Sequence, residues 1–304
     1  MKRNIYLKTI PPAEAVARVK ASIDREALIR EETIPSHEAS GRVLAHAVHA
    51  RYSSPTFHSA AMDGYAVNAR STFAAREGHP LTLKAGETCF AVNTGHPMPE
   101  GCDAVIMIEQ VVLDGGSVTI EAPAFPWQHV RRIGEDIVAT ELLFPRNHQL
   151  RPWDVGALLS GGIWDVPVWE RVTVRIIPTG DEVLDFTTHP DPGKGQVVES
   201  NSQMLAALAR ELGCVVERAA PVPDNPEALH QALKDSLDAG RHLTIFCAGS
   251  SAGSKDFTRA TLEKEGEILT HGIAAMPGKP SLLANCRGRL VAGAPGYPVS
   301  ALVC

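Results

Sequence analysis

Three short stretches carry residues whose types and spacing could do chemistry. The first, "HSAAMDGYAV" (residues 58–67), sets Asp63 beside Gly64 after a run of small residues. Asp-Gly is a strong turn pair, because glycine takes positive φ and aspartate bonds its own backbone. The other reading is an acid held at a fixed backbone position for electrostatic work, and both stand open at this point. The second, "AGSSAGSKD" (residues 248–256), reads as an anion cradle. Its small residues let backbone N–H groups approach a phosphate, and a helix start follows. Glycine turns also serve simply to join a strand tightly to a helix, so the loop alone leaves both uses open. The third is a set of acids at nearby turns: Asp181 and Glu182 in "PTGDEV", Asp224 in "PVPDN" and Asp256 in the cradle itself. An Asp-Glu pair after a strand also suits a helix N-terminus. Several carboxylates beside a phosphate cradle point to a divalent cation, Mg²⁺, bridging acid and phosphate oxygens. Lys279 in "MPGKP" is either a point charge for an anion or a solvated lysine in a turn. No residue reads as a covalent nucleophile.

Periodicity supplies the elements that must position these groups. Pro11-Pro12 opens a helical pattern in which Val16, Val19, Ile23 and Ala27 recur at spacings of three and four. A second short helix is expected over residues 41–47. From Ser53 the runs "LTLKAG", "CFAV", "AVIMIEQVV" and "SVTIEA" are strand-like and separated by Gly, Pro and Asp, so residues 50–136 read as a small β-rich domain. A connector with a short helix at residues 152–160 follows. From Val172 strand and helix alternate through "VTVRII", "SQMLAALARELG", "CVVERAAPV", "PEALHQALKDSLDA" and "LTIFCAG". That rhythm predicts a parallel α/β domain with helices on both faces. In such a sheet, the turns "PTGDEV", "AGSSAGSKD" and "APGYPVS" line the crevice at the carboxyl ends of the strands, where ligands bind.

The totals exclude several classes of function. The 304 residues are 44% hydrophobic and 21% charged, an ordinary globular composition long enough for two or three domains. A net charge of −6 argues against a nucleic-acid or anionic-membrane partner. The six cysteines are scattered without a CxxC pair, and the histidines lack metal-ligand spacing, so neither a disulfide framework nor a zinc site is signalled. The basic N-terminus lacks the apolar core of a signal peptide, and no window is long enough for a membrane span. A cytoplasmic protein is expected.

Taken in order, "SAAMDGYAV", "NTGHPMPEGCDAVIMIEQV", "RRIGED", "VRIIPTGDEV", "VVESNSQMLAAL", "PVPDN", "AGSSAGSKD", "HGIAAMPGKP" and "APGYPVSALV" resemble the molybdopterin molybdenumtransferase family, of the MoeA and gephyrin E-domain type. The resemblance spans nearly the whole chain. Each motif is weak alone, and nine in one order are specific. It implies an α/β multi-domain protein. Residues 1–49 and 137–168 would form an elongated mixed N-terminal domain, and residues 50–136 a β-rich domain inserted in it. Residues 169–304 would form a three-layer α/β/α molybdopterin-binding domain with a mostly parallel sheet. The chain ends at "VSALVC", where the family continues into a C-terminal β domain, so a truncated form is expected.

The activity so implied is insertion of molybdate into adenylylated molybdopterin with release of AMP, assisted by Mg²⁺. The expected assembly is a homodimer whose subunits share each site. Carried over by motif, Asp63, Asp136, Glu182, Asp224 and Asp256 are the catalytic acids, with Glu182, Asp224 and Asp256 holding the metal. Thr94, Gly95, Glu109, Gly249, Ser250, Ser251, Gly253, Lys279, Gly296, Pro298 and Ser300 fall on substrate-binding positions. Three positions depart from the family pattern: Ala248 replaces the first glycine of the cradle, Met276 a lysine, and Tyr297 the asparagine of "PGNP". They keep a second reading open, a non-catalytic paralogue that binds a cofactor precursor or a partner protein. Molybdopterin adenylyltransferase is the third, disfavoured because that enzyme is the α/β domain alone.

Overall fold

A computed structural model describes residues 8–247 and 257–304. The chain divides into two compact units, Met1–Glu32 with Trp169–Cys304, and Thr33–Val168.

The first unit is built on a six-stranded sheet. Its strand order is Val215–Arg218, Thr173–Pro178, Leu243–Cys247, Arg289–Ala294, Leu282–Cys286, Gly266–His271. The first four strands run parallel and the last two pair antiparallel. Side-chain alternation explains the layers, since neighbours on a strand point to opposite faces. Ile177 and Phe246 pack with Leu229, Leu233 and Leu262 under the helices Pro226–Asp238 and Phe257–Glu265. Their neighbours Ile176 and Cys247 pack with Leu205, Ala206 and Ala301 under the helices Asn201–Glu211 and Pro298–Val303. Near-continuous apolar runs such as "VRII" are what a sheet covered on both faces requires. The helix Pro226–Asp238 starts where expected, with Pro226 in its first turn and the Asn225 side chain accepting from the Ala228 amide.

Residues 8–32 pack with this unit, not with residues 33–49 as the expected division has it. Ile10 bridges Ile273, and the helix Pro12–Ser22 lies on the strands Gly266–His271 and Leu282–Cys286. Its apolar stripe is also corrected. Ala15 is the buried residue, while Val16 is exposed. The periodic pattern breaks at Ile23, which is extended. Asp24 then caps a separate turn of helix, Arg25–Leu28.

The second unit has three buried clusters among its described residues, the smallest formed by Ala60, Ala66, Val92, Val105 and Val130. One joins two three-stranded antiparallel sheets. The first sheet has Gly64–Val67 between Cys89–Val92 and Ala104–Met107, and the second has Ser117–Ile120 between Leu81–Lys84 and Val111–Asp114. Val67, Ile106, Leu83, Val118 and Ile120 fill the space they share. The third brings Ala39, Leu44 and Val48 onto Leu150, Leu158, Val166 and Val168, from two distant stretches of chain. The helix Pro152–Ser160 stands as expected, its first turn held by the buried Asp154, whose Oδ2 accepts from the Arg151 amide at 2.9 Å and from Arg151 Nε at 3.2 Å.

No helix forms over residues 41–47. The Gly41 amide donates to Leu150 O at 2.7 Å, and Val43 and Leu44 bridge Gln149 and Val168. Backbone groups that partner distant strands cannot also close a helical turn. No described helix is long and apolar enough to cross a membrane.

Candidate functional site

Each unit presents candidate residues. In the second, Asp63 sits at the bend that leads into the central strand Gly64–Val67. The bend is not a hairpin turn. Gly64 pairs with both Val92 and Met107, and a Cβ there would overlap the carbonyl oxygen of Ile106. Close approach of strands, not turn conformation, demands the glycine. Asp63 is thereby fixed by the strand that follows it. Its carbonyl accepts from the Ile108 amide at 3.0 Å, and Oδ1 accepts from both Thr94 N at 2.6 Å and Thr94 Oγ1 at 3.0 Å. The Thr94 amide, then its hydroxyl, hold the Asp63 carboxyl below its ordinary value against desolvation, with a lesser contribution from the field of His96. Oδ2 has no hydrogen-bond partner among the described residues.

Thr94 therefore meets Asp63, and Gly95 anchors the same loop by donating to Ala60 O at 2.8 Å. Glu109 is exposed in the short turn Ile108–Gln110, next in sequence to the residue that binds the Asp63 carbonyl. Asp136 is exposed, and its amide donates to Ser54 O at 3.0 Å. His96 is a member of this cluster that sequence reasoning missed, although it stands in the quoted "NTGHP".

In the first unit a cavity of about 670 Å³ opens at the carboxyl ends of the parallel strands, where Pro178, Cys247 and Pro295 line it. The strand Thr173–Pro178 has neighbours reached by opposite chain directions, Val215–Arg218 on one side and Leu243–Cys247 on the other. Such a switch point leaves a crevice for ligands. Glu182, Gly296 and Pro298 line the cavity as expected, while Lys279 and Ser300 stand outside its lining. Glu182 is exposed, with its carboxylate over Gly180; a Cβ on that glycine would come within 2.9 Å of Glu182 Oε2. Asp224 lies one turn away, its amide donating to Asp181 Oδ1 at 3.2 Å. No three His, Cys, Asp or Glu residues gather as a metal site among the described residues. Gly249, Ser250, Ser251, Gly253 and Asp256, with Ala248, lie outside the described residues.

One wall of the cavity is an arm formed by the short parallel pair Val183–Leu184 and Val197–Val198. Arg218, at the end of an edge strand, fastens that arm. It donates from Nε to Ser202 Oγ at 3.0 Å and from Nη2 to Asp185 Oδ1 at 3.1 Å, and Glu199 Oε2 lies 3.4 Å from Nη2. Glu199, nearly wholly buried, also accepts from Ser202 N at 2.7 Å and Ser202 Oγ at 2.6 Å. The guanidinium carbon stands 4.6 Å from the centre of the Phe186 ring. Asp185 is held below its ordinary value, first by the Thr187 amide and then, against burial, by Arg218. Cys247 is pushed up to about 12 by burial and by Glu199, so its thiol stays protonated at neutral pH and is no nucleophile. The Arg218 network was missed from sequence because Arg218 stands 16 to 33 residues from its partners, although Glu199 and Ser202 share the quoted "VVESNSQMLAAL".

Comparisons with known proteins agree on one family. Residues 10–162 match the MoeA N-terminal region (domain I and II), and residues 175–304 match a probable molybdopterin binding domain. The chain is 34% identical over 292 residues to a molybdopterin molybdenumtransferase of Haemophilus influenzae, covering 90% of this chain and 69% of that protein. Two crystal structures of MoeA proteins of molybdopterin biosynthesis from Pyrococcus horikoshii superpose with TM-scores of 0.82 and 0.79, at 29% and 28% identity. Each alignment covers 97% of this chain and 76% of the other. The chain belongs to the molybdopterin molybdenumtransferase (MoeA) family, a family of molybdenum cofactor biosynthesis.

Proposed function

We propose that this chain inserts molybdenum from molybdate into adenylylated molybdopterin and releases AMP, acting as a cytoplasmic homodimer with sites shared between subunits. The observation that carries the reading is the cavity at the strand switch point, inside the part of the chain that matches the molybdopterin-binding family. The relatives' name, molybdopterin molybdenumtransferase, supplies the transfer of molybdenum, and the adenylylated substrate and AMP release rest on the family resemblance.

The residues support a division of labour. Asp63, ionised and anchored through one oxygen, presents a fixed negative charge. With Asp136 it would orient molybdate or the attacking oxygen. Glu182 and Asp224, with Asp256, are the donors for Mg²⁺; carboxylate oxygens are the hard ligands that this cation takes. When bound, Mg²⁺ supplies polarisation of the phosphoanhydride and neutralises charge on departing AMP. Thr94 and Gly95 keep Asp63 in register, and Gly296 and Pro298 bound the substrate cavity. Arg218 keeps the arm that carries Glu182 closed on the sheet.

The test is molybdate-dependent AMP release from adenylylated molybdopterin. Turnover supports the enzyme. Tight binding without turnover would support the non-catalytic paralogue, a reading favoured by one observation: none of the described residues lining the cavity is Lys or Arg.

A further inference from the structure

Tyr297 forms part of the wall of the 670 Å³ cavity. Its backbone is pinned on both sides. Asn201 Nδ2 donates to Gly296 O at 2.7 Å, and Ala301 N donates to Tyr297 O at 2.9 Å, closing the first turn of the helix Pro298–Val303. Its side chain is the opposite: it is 83% exposed and makes no hydrogen bond or ring contact among the described residues. An aromatic ring left bare on a fixed backbone, inside a cavity wall, presents a large apolar face with few torsions to freeze on binding.

The rest of the described wall says what that face can receive. Val183, Val197, Val198 and Pro280 line the same cavity. The acids that line it are Glu182 and Glu199, and the buried Glu199 is committed to Ser202 and Arg218. The described part of this wall offers valines, prolines and two carboxylates, and no Lys or Arg. It suits a flat, uncharged ring system.

We propose that Tyr297 is the stacking platform for the planar fused nitrogen heterocycle of the substrate, adenine or pterin. The proposal rests on the molybdopterin reading above and adds to it a specificity-determining residue. Stacking tolerates different rings because each has a π-face, so Tyr297 supplies affinity for a ring without reading its edge.

The experiment is calorimetric titration of the 304-residue chain with AMP, with 6-hydroxymethylpterin and with ribose 5-phosphate, for the wild type and for Tyr297→Phe, Tyr297→Ala and Tyr297→Asn. Melting temperatures confirm that the variants fold. Tyr297→Ala and Tyr297→Asn are expected to lose about five- to a hundredfold in affinity for the ring-bearing ligand. Tyr297→Phe is expected to stay within about twofold, and ribose 5-phosphate to be unmoved. Whichever of AMP and the pterin loses affinity identifies the stacked ring. Equal affinities of wild type and Tyr297→Ala for both rings overturn the role of Tyr297 and leave the molybdopterin reading intact. An equal loss for ribose 5-phosphate overturns it as well, since the cavity as a whole has then been disturbed. A wild type that binds neither ring at millimolar concentration overturns it too, and molybdate-dependent AMP release then shows separately whether the reading falls with it.

Discussion

Asp63 in the second unit and Tyr297 in the first are both exposed side chains on constrained backbone, yet they are held in different ways. Asp63 is fixed as a side chain, by two bonds from Thr94 and by a strand that tolerates only glycine at the next position. Tyr297 is fixed only as backbone, and its ring is left to whatever enters the cavity. A charge needs a set position before substrate arrives, because electrostatic stabilisation is worth most when no reorganisation is left to do. An apolar face needs only to be present, because burial is non-directional. The difference teaches where each region is fragile: the first in its packing and polar anchors, the second in the clamp that keeps the cavity's arm in place.

The sharpest way to break the comparison is Gly64→Ala. The new methyl meets the Ile106 carbonyl in the middle of a three-stranded sheet. A loss of more than about 4 kcal/mol is expected, in the range reserved for gross steric conflict. Urea unfolding measures it, and a change under 1 kcal/mol would mean that the strands part easily. Next is Arg218→Met, which strands the buried Glu199 without its cation. Breaking such a pair typically costs about 3–5 kcal/mol. Arg218→Lys should recover only part of that, since a single ammonium cannot reach Ser202, Asp185 and Glu199 together. Full rescue by lysine would show that charge alone is needed.

Asp63→Asn keeps the Thr94 bonds available while removing the charge. A fall of about two to three orders of magnitude in molybdate-dependent AMP release is expected, at an unchanged melting temperature. Turnover near wild type would reduce Asp63 to a structural role. The smallest effect belongs to Thr94→Val, which deletes the hydroxyl bond and spares the amide bond. Both bonds stabilise the ionised form, so losing one raises the Asp63 pKa toward its ordinary 3.8 without reaching it. Carboxyl chemical shifts followed down an acid titration would register the rise. The carboxylate stays ionised at neutral pH in either protein, so turnover near pH 7 should change little.

Much of the first unit was legible because its signals are local. Asn225-Pro226 marks a helix start within a few residues, and runs such as "VTVRII" declare a strand covered on both faces. The same holds for Arg151-Pro152 in the second unit. What was not legible depends on partners far away in sequence. Residues 41–47 lost their helix to Leu150 and Val168. Residues 8–32 joined the α/β unit through Ile273. Of the candidate site, the place of Glu182, Gly296 and Pro298 on one cavity follows the turns that the sequence put at the carboxyl ends of the strands, while the contact of Asp63 with Thr94, 31 residues away, does not. Nor do the Arg218 clamp and the bare ring of Tyr297, since no spacing announces which distant acids an arginine will gather or which aromatic will be left uncovered.

Both bonds from Thr94 fall on the same oxygen of Asp63. The two halves of the carboxylate are therefore no longer equivalent: one is a tether and the other is the working end. A group so divided engages its partners through Oδ2, whose two lone pairs stay open. It cannot offer the two-pronged grip by which a free carboxylate embraces a guanidinium or chelates a cation unless Thr94 lets go. Its selectivity is thus that of a one-atom anchor, favouring donors or a positive centre that gather on one oxygen.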